Sequence, residues 1–556
     1  MASLQRLLLY NKCNGGSEDL DERPRKRSRT SSAVPSSISA VTRSVGDTLE
    51  GLNSLFTGLR TYELGGQPDE GGIKQQVANE EANLVHAETY DKWKAAAIEL
   101  DRLDGSDVWK EVTTSDDYNV HIVQTRLTDL KDALHSRDYD RMRYLVRTAL
   151  TRDLGGMGNA SLYKHSRIGT KRLIEDYIQT VSDVIDTIVY ESGTGSLSGE
   201  HHRALHEELK RARQSFGRSA LLLSGGGTLG MNHIGVVKAL YEVNLLPRII
   251  SGASAGSIVA AVLGTKKNDE LQGALEEFSK GDLDVFSAKD NPDGVWQIVQ
   301  RFLRQGFWYD DSHLRRVMED LLGDMTFLEA YNRSQRILNI CVSTEGAYEM
   351  ARLLNYVTAP HVIIVSAVCA SCAVPSIFKA STLKAKDART REITDWDLSQ
   401  IRWIDGSVDN DLPITRLAEM FNVNHFIVSQ VNPHVVPFLD RERGEGFASI
   451  LGRDPPWLHS IANLAKGEAL HRMHVLADLG IFPNAMNKAR SVLGQRYVGD
   501  ITIMPPISST EVVQALTNPT EDFVKNASRN GERATWPKIN LIKNRLAIEL
   551  KLDSAI

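Results

Sequence analysis

Apolar and polar positions change rhythm along this chain. From residue 76 to about 215 the pattern is that of successive helices, each with one apolar face. It predicts helices over 77–101, 121–135, 137–152, 169–191 and 199–214, with breaks at Gly155-Gly156 and around Gly193 to Gly195. From 219 onward, short apolar runs alternate with helical stretches. Strands are predicted at 219–224, 248–252, 336–343, 401–405, 424–430 and 500–504. Such alternation implies a three-layer α/β domain with a mainly parallel sheet. A mostly helical stretch at 434–495, carrying Asp454-Pro455-Pro456-Trp457, precedes the last strand, and no internal repeat is present. The expected organisation is therefore an N-terminal segment 1–75, a helical region 76–217, an α/β domain 218–433 and a helical C-terminal region 434–556 with a returning strand near 500–504.

The N-terminal segment has three parts. Residues 1–44 are poor in apolar positions and rich in clustered charge, a composition expected to stay disordered. Within them Arg23-Pro24-Arg25-Lys26-Arg27-Ser28-Arg29 fits a nuclear import signal, a contact with anionic lipid headgroups or a plain solvated tail. Leu49, Leu52, Leu55, Phe56 and Leu59 then recur at helical spacing among Asp47, Glu50, Asn53, Thr57 and Arg60. A helix lying in a lipid interface and a helix packed on the folded domain both fit. Gly65-Gly66-Gln67-Pro68-Asp69-Glu70-Gly71-Gly72 reads as a linker.

Composition narrows the class. A chain of 556 residues holds two or three domains, and 42% hydrophobic with 24% charged residues is ordinary for a globular protein. A net charge of −6 argues against broad nucleic-acid binding. Four cysteines make no disulfide framework and suit a reducing, intracellular setting. Cys369-Ala370-Ser371-Cys372 spells C-x-x-C, but Cys13 and Cys341 supply no second ligand pair, so no metal site is expected. The apolar stretch Leu7-Leu8-Leu9 is short and lacks a cleavage site, so no signal peptide is expected. The best spanning candidate, 362–374, is about 13 residues against the roughly 20 a membrane helix needs.

Three motifs carry chemistry. Gly252-Ala253-Ser254-Ala255-Gly256 reads G-x-S-x-G between an apolar strand and a small, apolar helix. That is the context of a nucleophile elbow, in which small residues permit a sharp turn and the following helix N-terminus faces the serine. Ser224-Gly225-Gly226-Gly227-Thr228-Leu229-Gly230 follows a buried strand and opens a helix. Its backbone N–H groups suit an oxyanion or a phosphate. Gly225, Gly227 and Gly230 also match G-x-G-x-x-G, but a dinucleotide site needs an acid after the next strand, and 243–268 contains none. Trp403-Ile404-Asp405-Gly406 ends a strand in Asp-Gly, either a plain turn or a carboxylate presented where open α/β sheets bind ligands.

In that order, the glycine loop, the G-x-S-x-G serine and the Asp-Gly aspartate resemble the patatin-like phospholipase family, whose members use a Ser–Asp dyad without a catalytic histidine. Further strings resemble the branch of fungal and plant lipid-droplet triacylglycerol lipases. These are Gly323-Asp324-Met325-Thr326-Phe327-Leu328-Glu329-Ala330-Tyr331, Asn355-Tyr356-Val357-Thr358-Ala359-Pro360, Ala370-Ser371-Cys372-Ala373-Val374-Pro375 and Ala534-Thr535-Trp536-Pro537-Lys538. Leu154-Gly155-Gly156 and Gly169-Thr170-Lys171 resemble its preceding helical region. The resemblance covers roughly residues 85 to 550. It implies Ser254 as nucleophile, Asp405 as base, Gly225, Gly226 and Gly227 with Ala255 around the oxyanion, and Gly252 and Gly256 as the elbow glycines. It also implies hydrolysis of glycerolipid esters, most directly triacylglycerol, at a lipid-droplet or cytoplasmic membrane surface, with no cofactor. Phospholipase or lysophospholipase activity on the same dyad, and a catalytically silent lipid-droplet scaffold, are the alternatives. Ser407 stands where many relatives carry Gly or Ala. A Ser-His-Asp triad would place its histidine after the acid, as His425 and His434 do. His135 and Asp140 match H-x-x-x-x-D, a pattern associated with glycerolipid acyltransferases, on a polar stretch.

Overall fold

The first described stretch is helical throughout, and the first strand begins at Arg218. The computed structural model describes residues 70–194, 199–280, 312–344, 351–374, 381–396, 402–407, 411–432, 497–515 and 517–556, with Val435, Glu468 and Arg472. The basic run, the 45–63 helix, most of the 65–72 linker and nearly all of 434–495, His434 included, lie outside these residues. Contacts divide the chain after Ile73, and residues 74–556 form one compact unit that holds the glycine loop, the G-x-S-x-G serine and the Asp-Gly aspartate.

The helices before the sheet are α1 (Glu70–His86), α2 (Tyr90–Asp104), α3 (Ser106–Glu111), α4 (Val120–His135), α5 (Tyr139–Ala149), α6 (Arg172–Thr194) and α7 (Gly199–Phe216). The stretch 77–101, expected as one helix, is two. Thr89 breaks it by accepting a hydrogen bond from Lys92 N–H at the start of α2, the role of an N-cap residue. Leu127 and Leu130 of α4, Met142, Leu145 and Val146 of α5, Ile174, Val181 and Ile185 of α6 and Phe216 of α7 form one buried core. Their recurrence every three or four residues is what turns these helix faces toward each other.

The remaining elements alternate: β1 (Arg218–Leu223), α8 (Asn232–Glu242), β2 (Ile249–Gly252), α9 (Ala255–Thr265), α10 (Asn268–Lys280), α11 (Ser312–Leu322), α12 (Phe327–Ser334), β3 (Ile337–Thr344), β4 (Arg352–Leu354), α13 (Ile364–Ser371), β5 (Lys384–Lys386), β6 (Ile393–Asp395), β7 (Trp403–Asp405), α14 (Ile414–Phe421), β8 (Val423–Ser429), β9 (Ile501–Ile503), α15 (Ser509–Val513), α16 (Glu521–Thr535) and α17 (Ile539–Ala555). The main sheet runs β4-β3-β2-β1-β8-β9, with β7 also on β3. The pairs β1–β2, β2–β3, β1–β8 and β8–β9 are parallel, whereas β4 and β7 are antiparallel to β3. This is the three-layer α/β architecture with a mainly parallel sheet.

Alternate residues of β1 divide between the layers. Leu221 and Leu223 join Val236 and Val237 of α8, Val259 and Val262 of α9, Val368 of α13 and Val524 of α16. Ala220 and Leu222 turn to the opposite face, under Leu417 and Phe421 of α14. Both faces of the strand are therefore dry, which is why its sequence is a continuous apolar run. Burying each such side chain stabilises the fold by roughly 1.5–3 kcal/mol. The chain visits β2 and β3 on one side of β1 and β8 and β9 on the other. The crevice beyond the carboxyl ends of β1 and β8 is thus a topological switch point, where open α/β sheets place their sites.

Candidate active site

Ser254 follows β2 in a backbone conformation with φ 50° and ψ −127°. Few non-glycine residues hold such dihedrals, and the strain costs on the order of 1–3 kcal/mol. Gly252 and Gly256 make the turn possible. A Cβ on Gly252 would collide with the Gly256 carbonyl, and one on Gly256 with the Leu223 carbonyl. Three hydrogen bonds fix the turn. Ser254 N–H donates to Ser371 Oγ (3.0 Å), the Ser371 hydroxyl donates to the Cys341 carbonyl (2.7 Å), and the Ser257 hydroxyl donates to the Ser254 carbonyl (2.6 Å). Ala255 is the first residue of α9, so its N–H points out of the helix at the positive dipole end.

The glycine loop lies against this turn. A Cβ on Gly225 would stand 3.3 Å from Ser254 Cβ and 3.1 Å from Ser407 Cβ, so loop, elbow and Asp-Gly turn meet within contact distance. Gly226 has φ 149° and Gly227 φ 59°, conformations an L side chain rarely adopts. Gly225 N–H donates to Asp411 Oδ1 (2.7 Å) and Thr228 N–H to the Ala515 carbonyl (2.9 Å). Among the described residues, the N–H groups of Gly226, Gly227 and Ala255 donate to no side chain or loop carbonyl.

Asp405 closes β7 and is fully buried. Its Oδ1 accepts from Ser407 N–H (2.7 Å). Among the described residues its Oδ2 has no hydrogen-bond partner, although the Ser254 hydroxyl is near enough to favour the carboxylate. The two groups face each other without a closed hydrogen bond. Burial pushes the Asp405 pKa up to about 6, against the pull of Ser407 N–H and the Ser254 hydroxyl. Asp411, also fully buried, is pushed up to about 7 by burial and the nearby Asp405, despite accepting from Gly225 N–H. Burial likewise pushes the thiols of Cys341 and Cys372 far above their ordinary range, which leaves them unreactive.

Among the described residues, the other histidines and cysteines of the catalytic region lie elsewhere or are already engaged. His425 pairs with Ser219 across β8 and β1, whereas Leu223, at the site end of β1, pairs with Gly252. Four residues of strand, roughly 13 Å, therefore separate His425 from the elbow end. Its Nδ1 contacts Ser219 Oγ at 2.9 Å. His233 uses both ring nitrogens, on Ser429 Oγ (2.7 Å) and the Ser224 carbonyl (2.9 Å), and burial lowers its pKa to about 4. His135 and Asp140 are exposed at the turn between α4 and α5. Cys369 and Cys372 are buried cysteines at the end of α13, and the described residues bring together no cluster suited to a metal ion. Reasoning from sequence missed the supporting roles of Ser371 and Asp411. Ser371 was visible only within Ala370-Ser371-Cys372-Ala373, and Asp411 only as an acid shortly after Asp405-Gly406.

Residues 221–418 match the model described as patatin-like phospholipase, and 73–213 match a domain of unknown function, DUF3336. Triacylglycerol lipase ptl3 of Schizosaccharomyces pombe is 40% identical over 474 residues, which cover 85% of this chain and 96% of that protein. Triacylglycerol lipase 4 of Saccharomyces cerevisiae is 41% identical over 85% of this chain, and triacylglycerol lipase SDP1L of Arabidopsis thaliana is 38% identical over the same share. The matched region spans only 52% and 58% of the length of these two relatives. With the glycine loop, the strained Ser254 and the buried Asp405 converging inside the matched region, this chain belongs to the patatin-like phospholipase family, in the branch of these triacylglycerol lipases.

Proposed function

We propose that the chain is a lipid acyl hydrolase that cleaves carboxylic esters of glycerolipids, triacylglycerol foremost, through Ser254 and Asp405. One observation carries the mechanism: a hydroxyl on a strained elbow faces the unpartnered oxygen of a buried carboxylate, beside unengaged backbone N–H groups. Ionised Asp405 takes the proton of Ser254 as Oγ attacks the ester carbonyl carbon. The carbonyl oxygen becomes an oxyanion and accepts hydrogen bonds from the N–H groups of Gly226, Gly227 and Ala255. The intermediate collapses, the C–O bond to the leaving alcohol breaks, and Asp405 returns the proton to that oxygen. Water then gives a proton to Asp405 and attacks the acyl carbon; the bond to Ser254 Oγ breaks, Asp405 passes the proton to that oxygen, and the fatty acid leaves. Burial raises the basicity of Asp405 and keeps water from solvating it.

The relatives' names support triacylglycerol as substrate, and the family's name supports phospholipid as the second reading on the same dyad. Either substrate lies in a lipid phase. None of the described helices is long and apolar enough to cross a membrane, so the reading places the partner surface, droplet or membrane face, against the outside of the fold. The test is purified protein against triolein, diolein and phosphatidylcholine in parallel, with fluorophosphonate labelling of wild type and Ser254→Ala. Triolein hydrolysis and labelling, both lost in Ser254→Ala, support the reading. Unimpaired labelling of the variant removes Ser254 from the role, and no hydrolysis of any of the three by labelled wild type rejects the glycerolipid substrate.

A further inference from the structure

We infer that Asp411 is a positioning residue: its carboxylate holds the glycine loop at Gly225 so that the N–H groups of Gly226 and Gly227 face the reacting ester oxygen. The inference rests on the Ser254–Asp405 reading and extends it to a residue outside the three motifs. Its ground is how the loop is held at its two ends. Gly225, Gly226 and Gly227 have no side chains with which to fix their own conformation. The far end is anchored through Thr228, whose N–H donates to the Ala515 carbonyl (2.9 Å) and whose hydroxyl donates to the Thr517 carbonyl (2.7 Å). The near end is held by the Ser224 hydroxyl, which donates to the Gly225 carbonyl (3.0 Å), and by Gly225 N–H, which donates to Asp411 Oδ1 (2.7 Å), the short, charge-assisted bond of the two. The two unengaged glycines are suspended between these anchors.

Asp411 is itself held from the far side of the crevice. Asn432, just beyond β8, donates from Nδ2 to Asp411 Oδ2 (2.7 Å), and the Asn432 N–H is fixed on Gln430 Oε1 (3.0 Å). The Gln430 side chain is also near enough to favour the carboxylate. A buried acid is costly, and this one is retained in a cradle of donors that joins the glycine loop to the end of β8. The bond consumes Gly225 N–H, so Gly225 serves as a point of attachment and not as an oxyanion donor. Because the loop acts on charge that develops only in the transition state, loosening it lowers kcat more than it changes KM.

The test compares Asp411→Ala and Asp411→Asn with wild type and Ser254→Ala on p-nitrophenyl butyrate, with thermal melting to verify folding. Asp411→Ala lowers kcat at least tenfold with KM within threefold. Asp411→Asn keeps an acceptor for Gly225 N–H, and a turned Asn432 amide meets its new NH2, so its kcat stays within threefold of wild type. Should Asp411→Ala fail to fold, Asn432→Ala, which removes one donor from a retained Asp411, lowers kcat severalfold. A folded Asp411→Ala, or in its place Asn432→Ala, with kcat within twofold of wild type overturns the proposal. So does an Asp411→Asn variant as impaired as Asp411→Ala. Full activity in Ser254→Ala would instead sink the dyad and this proposal together.

Discussion

In the proposed mechanism Asp405 owes its use as a base to burial, and burial also makes its charge expensive. The folded chain holds the Asp405 proton up to about pH 6, above an ordinary carboxyl, so protonation favours folding. That contribution is complete below about pH 4 and is lost as pH rises through 6; Asp411 adds a similar one that is lost through about pH 7. Catalysis has the opposite sign, because the base must be ionised. We predict that kcat/KM on a soluble ester falls below about pH 6 with a one-proton slope. Above that range, Asp405→Asn, which needs no ionised group, unfolds at pH 8 with a free energy higher than wild type by on the order of 2–3 kcal/mol, read by urea denaturation. A flat profile from pH 5 to 8, or a variant less stable than wild type, contradicts this. Ser254 and Asp405 were legible because each sits in a local motif. Asp411 and Ser371 were not, because each acts on a partner far along the chain: Gly225 lies 186 residues from Asp411, and Ser254 lies 117 from Ser371.

At the scale of elements, the strands that build the site were legible for a physical reason. Ala220 to Leu223 and Ile337 to Val342 are buried on both faces, so hydrophobicity alone marks them. β4, β5 and β6 are three residues long, and β6 is exposed; so short a segment shows no period. The break before α2 was missed because the helical spacing continues across it, although Thr89 supplies a capping signal. The elbow depends on a helix that no elbow motif names. Ser371 closes α13 and ties the turn after β2 to β3 through the Cys341 carbonyl. Ser371→Ala leaves the buried Ser254 N–H without a partner, a cost of about 1–3 kcal/mol. We expect kcat to drop about tenfold and the melting temperature to fall by a few degrees. Wild-type kcat in this variant would show that the elbow holds its shape without the brace.

For the whole molecule, a buried polar network joins the helical region to the sheet and the closing helix. Glu549 of α17 accepts from Arg152 (2.9 Å), from Arg213 of α7 (2.9 Å) and from Ser219 N–H at the start of β1 (2.9 Å). Ile548 and Leu552 of α17 enter the same core as α4 to α7. Helical region and sheet are thus one cooperative body, a relation that helix and strand patterns alone do not reveal. Glu549→Ala takes the carboxylate partner from the nearly buried Arg152, whereas Arg213 keeps Asp553, and should cost about 3–5 kcal/mol in denaturant unfolding, while folded protein keeps esterase activity because the network lies at the end of β1 away from Ser254. A change below 1 kcal/mol would refute that role. A second expectation concerns residues 1–63, where apolar helical spacing lies beside a basic run. Their deletion should weaken flotation with artificial droplets and spare p-nitrophenyl butyrate hydrolysis. Equal flotation would place lipid binding elsewhere on the chain, and lost esterase activity would make the segment part of the folded core.

The central claim is that Asp405, and no histidine, is the base for Ser254. The most direct measurement is kcat on p-nitrophenyl butyrate for Asp405→Asn, His425→Ala and His434→Ala, each verified as folded by near-ultraviolet circular dichroism. We predict a loss of at least about a hundredfold for Asp405→Asn, the scale of a missing general base, and values within a few-fold of wild type for both histidine variants. Asp405→Asn within tenfold of wild type, or a folded histidine variant as inactive as Asp405→Asn, would contradict the dyad.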